Sequence, residues 1–132
     1  MNQIVLDASA AVEALVSPRG LGGHVRAVLG GCETHAPELI DAEVLSALAR
    51  LVRAGTLTRA GATEAVGFWE MLPLSRHGGH GLIREVWRTR GSLRISDAFY
   101  LALARGMGMP LVTCDGRLAR VPHPGVTVTL IS

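Results

Sequence analysis

Apolar residues recur along this chain with two periods, and the switches between them mark its elements. Ile4, Val5 and Leu6 are consecutive and stop at Asp7, which predicts a strand over residues 3–6 covered on both faces. A helical stretch follows over 8–16 and ends at Ser17 and Pro18. Glycines bound a weaker helix at 24–29, and a second strand is expected at 32–36, closed by Pro37. Between residues 37 and 53, Ile40, Val44, Ala47, Leu48 and Leu51 form an apolar stripe at helical spacing, with Gly55 suited to the C-terminal cap. Thr58 suits the N-cap of the next helix, which runs to residue 71. Residues 73–76 are a short strand candidate, and Leu82, Ile83, Val86 and Trp87 are the expected inward face of a helix over 80–89. Ser96 or Asp97 caps a helix reaching Arg105, which Gly106 and Gly108 break. An apolar strand over 110–114 again runs into an Asp, and a short helix is expected at 116–119. In the last strand Val126, Val128 and Leu130 alternate with Thr127 and Thr129.

Strands separated by helices predict a central parallel sheet with helices on both faces. No repeat or linker interrupts the pattern, so residues 1–132 read as a single α/β domain. Composition agrees: 48% hydrophobic and 18% charged residues exclude a disordered chain, and 4% aromatics require an aliphatic core. The longest stretch without a charge, residues 121–132, is too short for a membrane span and contains two prolines. No basic region precedes the apolar N-terminal residues, so the expectation is a cytoplasmic protein with no signal peptide and no membrane partner.

The net charge of +2 permits a nucleic-acid partner. All 13 basic residues are Arg, which excludes a P-loop, a Schiff-base enzyme and a Lys-dependent phosphoacceptor domain. The same bias also follows from a GC-rich coding sequence. Cys32 and Cys114 form no CxxC pair and read as small buried thiols.

The candidate chemistry lies in the acids. Open parallel sheets bind ligands beyond the carboxyl ends of their strands. Asp7 follows the first strand directly, Asp115 follows the 110–114 strand, and Asp97 sits at a helix start. Glu43 lies at the margin of the long helix's apolar stripe. Read singly, Asp97 is equally an N-cap, Asp115-Gly116 equally a turn, and Glu43 more often a solvated residue. Read together, four carboxylates in one place repel one another unless a cation joins them. Oxygen-only ligands select a hard ion, Mg²⁺ or Mn²⁺, and such an ion supports hydrolysis of a phosphodiester. Ser9 and Thr113, each two residues from an Asp, are the supporting hydroxyls.

Three segments resemble the motifs of PIN-domain ribonucleases, and in particular the VapC-like toxins of VapBC toxin–antitoxin pairs. "IVLDASAAVEAL" resembles the first motif, "APELIDAEVLSAL" the second, and "ISDAFYLALARGMGMPLVTCDGRLA" the third and fourth together. The likeness runs from Ile4 to Ala119 and implies a PIN-like fold. It assigns catalytic and metal-site roles to Asp7, Glu43, Asp97 and Asp115, and supporting polar positions to Ser9 and Thr113. It also implies an endoribonuclease acting on structured RNA such as tRNA or rRNA, leaving 3′-hydroxyl and 5′-phosphate ends. A VapB-like antitoxin and a homodimer are the partners it implies. Two positions depart from the family pattern: Gly116 replaces a frequent basic residue, and Ser96 a frequent aromatic or Thr. Neither removes a carboxylate.

Arg76, Arg84, Arg88, Arg90 and Arg94 are clustered, and Arg84 and Arg88 share a helix face. Arg76, Arg84 and Arg88 are therefore candidates for RNA-backbone contact, against the alternative of an ordinary solvated face. His77 and His80 without further ligands make a weak zinc signal. Phe68, Trp69, Trp87, Phe99 and Tyr100 read as core or dimer contacts before base-stacking platforms. The alternative to a nuclease is a non-catalytic PIN-like module that only binds RNA. A decayed site would be expected to lose acids, and all four remain.

Overall fold

A computed structural model describes residues 2–132. Its elements are β1 (Asn2–Leu6), α1 (Ala8–Val16), α2 (Leu21–Gly30), β2 (Cys32–Pro37), α3 (Ile40–Arg53), α4 (Arg59–Met71) and β3 (Ser75–His77). A 3-10 turn (His80–Leu82) leads into α5 (Ile83–Arg88), followed by α6 (Ile95–Met107), β4 (Leu111–Thr113), α7 (Gly116–Arg120) and β5 (Val128–Leu130). The five strands form one parallel sheet in the order β3-β2-β1-β4-β5. This is the single α/β domain with a central parallel sheet that the apolar pattern predicts.

Central position explains the run at the start of the chain. Ile4, Val5 and Leu6 lie on the middle strand and are buried on both faces. One group of helices, α1 to α4, packs together, while α6 lies against β1, β2 and β4 with α5 outside it. Tyr100 to Ala104 form a fully buried stretch of α6. Among the described residues no helix is long and apolar enough to cross a membrane.

Several local expectations shift. Pro37 belongs to β2 and α3 starts at Ile40, after a turn at Glu38 and Leu39. Gly55 adopts φ +74°, the left-handed conformation that ends α3 one residue past its C-cap. Thr58 caps α4 as predicted, its hydroxyl accepting from the Gly61 amide at 2.9 Å. The predicted 80–89 helix is instead a 3-10 turn and a six-residue helix. Only Leu82 and Val86 of its expected inward face pack on α6; Ile83 and Trp87 are more than half exposed. Residues 82 and 86 are four apart and share one narrow stripe, which is all a helix this short buries.

Candidate active site

The strand order reverses beside β1. The chain builds outward through β2 and β3, then returns to place β4 on the other side. A crevice opens at such a switch point, outside the carboxyl ends of the two central strands. Register decides what lines it. Leu6 stands opposite Val112, and the Asp7 amide donates to the Val112 carbonyl at 3.0 Å, so Asp7 lies beside Thr113.

Asp7 is also the N-cap of α1. Its Oδ1 accepts from the Ser9 amide, and its Oδ2 accepts from the Thr113 hydroxyl at 2.5 Å. Burial pushes the Asp7 carboxyl above the usual carboxylate range. Hydrogen bonds from Thr113 and Ser9 pull it back down, and the nearby charge of Asp97 adds a smaller rise. The Ser9 hydroxyl accepts from the Cys114 amide at 3.0 Å and lies 3.2 Å from the Thr113 hydroxyl. Thr113 in turn accepts from the Asp115 amide at 2.9 Å. Two hydroxyls thus tie the turn after β1 to the turn after β4.

Asp115 caps α7 through the Arg117 amide at 2.9 Å, and the Arg117 guanidinium lies 3.1 Å from its other oxygen. Those contacts hold the Asp115 carboxyl below its ordinary range. Glu43, in the first turn of α3, accepts from the Tyr100 hydroxyl at 2.6 Å. Burial, reinforced by the Glu43 carboxylate, raises the Tyr100 hydroxyl so far that it remains a donor at any working pH. Asp97 is not a cap. Arg94 occupies the N-cap position of α6 with no side-chain cap, which leaves the Asp97 carboxylate to face the crevice from the first turn.

Asp7, Glu43, Asp97 and Asp115 line one cleft of about 310 Å³, together with Ser9, Glu13, Arg50, Arg94 and Tyr100. The last of these was legible only in part from sequence: Tyr100 reads as core, yet it stands three residues after Asp97 and so on the same helix face. Every donor offered by the four acids is a carboxylate oxygen, the chemistry that suits a hard dication. As the side chains stand, no group of three or more His, Cys, Asp or Glu among the described residues is set to hold one ion. Each acid is engaged within the chain instead: Asp7 by Thr113 and Ser9, Glu43 by Tyr100, Asp97 by Arg94, Asp115 by Arg117. The donor set fits the ion in kind, and two of these four engagements are to the side chains of exposed arginines.

The other sequence candidates are spread. Arg84 and Arg88 are exposed on α5, with no ion-pair partner among the described residues. Glu85, the one acid in that strip, turns to Arg105. Arg76 is engaged by Asp41 through two hydrogen bonds of 2.6 and 2.9 Å and lies over Trp69. His77 pairs with His35 at 2.9 Å rather than with His80. Trp69 and Tyr100 are core residues, whereas Phe68 and Trp87 are 60% exposed. A larger apolar groove of about 560 Å³ runs between α1, α2 and α4; its one charged residue, Arg26, donates to the carbonyls of Ala14, Ser17 and Pro18.

The profile of the family described as PIN domain matches residues 4–124. Ribonuclease VapC3 of Mycobacterium tuberculosis is 45% identical over 119 residues, covering 90% of this chain and 87% of that protein. Solved structures share the fold, two of them as follows. VapC20 of Mycobacterium tuberculosis, described as a sarcin-ricin loop cleaving toxin, superposes with a TM-score of 0.66 at 14% identity, over 87% of this chain and 92% of that one. VapBC2 of Rickettsia felis, bound to a DNA fragment from its promoter, gives a TM-score of 0.65 at 12% identity, over 96% of each chain.

Proposed function

This chain belongs to the PIN-domain family and is VapC-like, and from that premise we propose that it is a divalent-metal-dependent endoribonuclease, the toxin of a type II toxin–antitoxin pair. The observation that carries this reading is the convergence of Asp7, Glu43, Asp97 and Asp115, from four separate segments, on one cleft at the sheet's switch point. These four would hold Mg²⁺ or Mn²⁺. The bound ion would neutralise charge at the phosphorus and raise the acidity of a water there. Asp7 is positioned by Ser9 and Thr113, so its two oxygens are oriented before any ligand arrives. Asp97 and Glu43 face the cleft and are the carboxylates suited to take the proton of the attacking water. Arg50 and Arg94 at the same cleft would attract the phosphate backbone, with Arg84 and Arg88 extending that attraction along α5. Structured RNA such as tRNA or rRNA, a VapB-like antitoxin and a homodimeric state complete the reading.

The test is to incubate the purified protein with total tRNA and rRNA and map the new ends. Cleavage should require added Mg²⁺ or Mn²⁺, stop in excess EDTA, and leave 3′-hydroxyl and 5′-phosphate ends. Cleavage that persists in the chelator would falsify the metal-dependent mechanism. Tight RNA binding without new ends would favour the non-catalytic module instead.

A second expectation concerns Tyr100. Tyr100→Phe keeps the buried ring and removes only the donor to Glu43. Loss of such an orienting partner behind a metal ligand costs roughly 10–100-fold in metal affinity or activity. Kinetics across a Mn²⁺ titration should show that loss, with circular dichroism unchanged. Wild-type turnover at every Mn²⁺ concentration would remove Tyr100 from the site.

A further inference from the structure

Arg94 stands apart from the other cations at the cleft. Arg117 forms its ion pair with Asp115, two residues before it, as an extension of the α7 cap, and reaches Asp97 only through longer-range charge attraction. Arg94 instead reaches two acids on different elements: its Nε lies 3.1 Å from Asp97 Oδ2 on α6, and its Nη2 lies 3.7 Å from Asp115 Oδ2 after β4. Its backbone is fixed, because its carbonyl accepts the Ala98 amide at 3.0 Å as the N-cap of α6. Its side chain is 62% exposed, whereas the two carboxylates it bridges are 19% and 18% exposed. A forked guanidinium on a fixed root therefore joins two half-buried acids that no other ion pair among the described residues links.

We propose that Arg94 is an internal counter-cation of the acid cleft, held against Asp97 and Asp115 until a divalent ion displaces it. The inference rests on the metal reading given above and adds a competitor to it. Without a cation, Asp97 and Asp115 face Asp7 and Glu43 across a shared cleft, and their repulsion disfavours the charged arrangement. The guanidinium relieves part of that repulsion without leaving the chain. A dication entering between the same carboxylates must break both Arg94 contacts, so Arg94 lowers the apparent metal affinity. Once displaced, the side chain remains rooted at the cleft mouth as a cation for the RNA backbone.

Most positioning roles predict weaker binding on mutation; this one predicts the reverse. Exposed ion pairs are individually weak, so removing two of them should change affinity by about three- to tenfold. Mn²⁺ binding, read from the free-ion electron paramagnetic resonance signal at low salt and without RNA, should be three- to tenfold tighter in Arg94→Ala than in wild type. Arg94→Lys keeps the charge but cannot fork across two carboxylates, and should fall between them. Arg120→Ala, an exposed Arg in the last turn of α7 that forms no ion pair with these acids, removes the same net charge and should leave Mn²⁺ affinity within about twofold. Unchanged or weaker Mn²⁺ binding by Arg94→Ala, with wild-type binding still lost in Asp7→Asn, overturns the counter-cation alone. Equal tightening in Arg120→Ala overturns it as a mere net-charge effect. No Mn²⁺ binding by any form overturns both this inference and the metal reading.

Discussion

The Asp7→Asn protein is expected to lose RNA cleavage by about a thousandfold, some 4 kcal/mol of transition-state stabilisation, and yet to melt at a higher temperature than the wild type. Both effects come from one carboxylate. Asp7 is 6% exposed on the strand-to-helix turn, and burial disfavours its charged form. Asn retains an oxygen for the Ser9 amide and offers its own N–H to the Thr113 hydroxyl, which can rotate to accept. The variant therefore keeps the hydrogen bonds and removes the buried charge, while abolishing a ligand that a dication would use. The sign of the pH dependence follows. A carboxyl whose folded pKa is raised contributes its full stability below the ordinary carboxylate range and loses it as pH rises through the raised value. Wild type and variant should melt together near about pH 3, with Asn ahead by a few degrees at neutral pH in chelator. A variant that melts below wild type at neutral pH would mean that the Asp7 charge stabilises the fold. Retained cleavage would remove Asp7 from the chemistry.

Gly22→Ala is expected to destabilise the fold by about 3 kcal/mol, a fall in Tm of roughly 10 °C. Gly22 is buried at the start of α2, where that helix crosses the end of α1. A Cβ at this position would collide with the Ser17 carbonyl oxygen, and would stand 2.5 Å from the Glu13 carbonyl oxygen and 2.7 Å from the Ser17 Cβ. Those are backbone-anchored atoms that cannot rotate aside. The Arg26 guanidinium, bonded to the carbonyls of Ala14, Ser17 and Pro18, locks the same corner. Gly23→Ala is the internal control. Its Cβ would meet nothing closer than the Arg26 side chain at 3.8 Å, and alanine is the better helix former by up to about 1 kcal/mol. Thermal melts of the two variants should move in opposite directions. Equal shifts would show that helix propensity, not the α1–α2 contact, governs this corner.

Much of this protein was legible along the chain because the relevant physics is local. Consecutive apolar residues at 4–6 followed by an acid signal a covered strand ending in a turn, since only a central parallel strand hides both faces and only a strand end tolerates the charge. Thr58 and Gly55 marked helix ends through their own caps. The four acids were legible as a set through motif resemblance, although Asp97, Asp115 and Glu43 singly also read as a cap, a turn and a solvated residue. Where an element is short, local pattern lost to packing: α5 buries Val86, with Leu82 of the preceding turn beside it, but leaves Ile83 and Trp87 in solvent.

Only the tertiary structure decided strand order, and with it the crevice between β1 and β4 where Asp7 and Thr113 become neighbours 106 residues apart. It also decided partners. Tyr100 reaches Glu43 across 57 residues, and Arg94 turns from an apparent member of a basic strip into the bridge between Asp97 and Asp115. Sequence spacing carries hydrogen-bonding period and capping chemistry, which act over a few residues. Which distant carboxylates share a cleft, and which cations neutralise them, depends on how the strands are ordered in the sheet, and that ordering is settled by burial of the whole apolar surface rather than by any single segment.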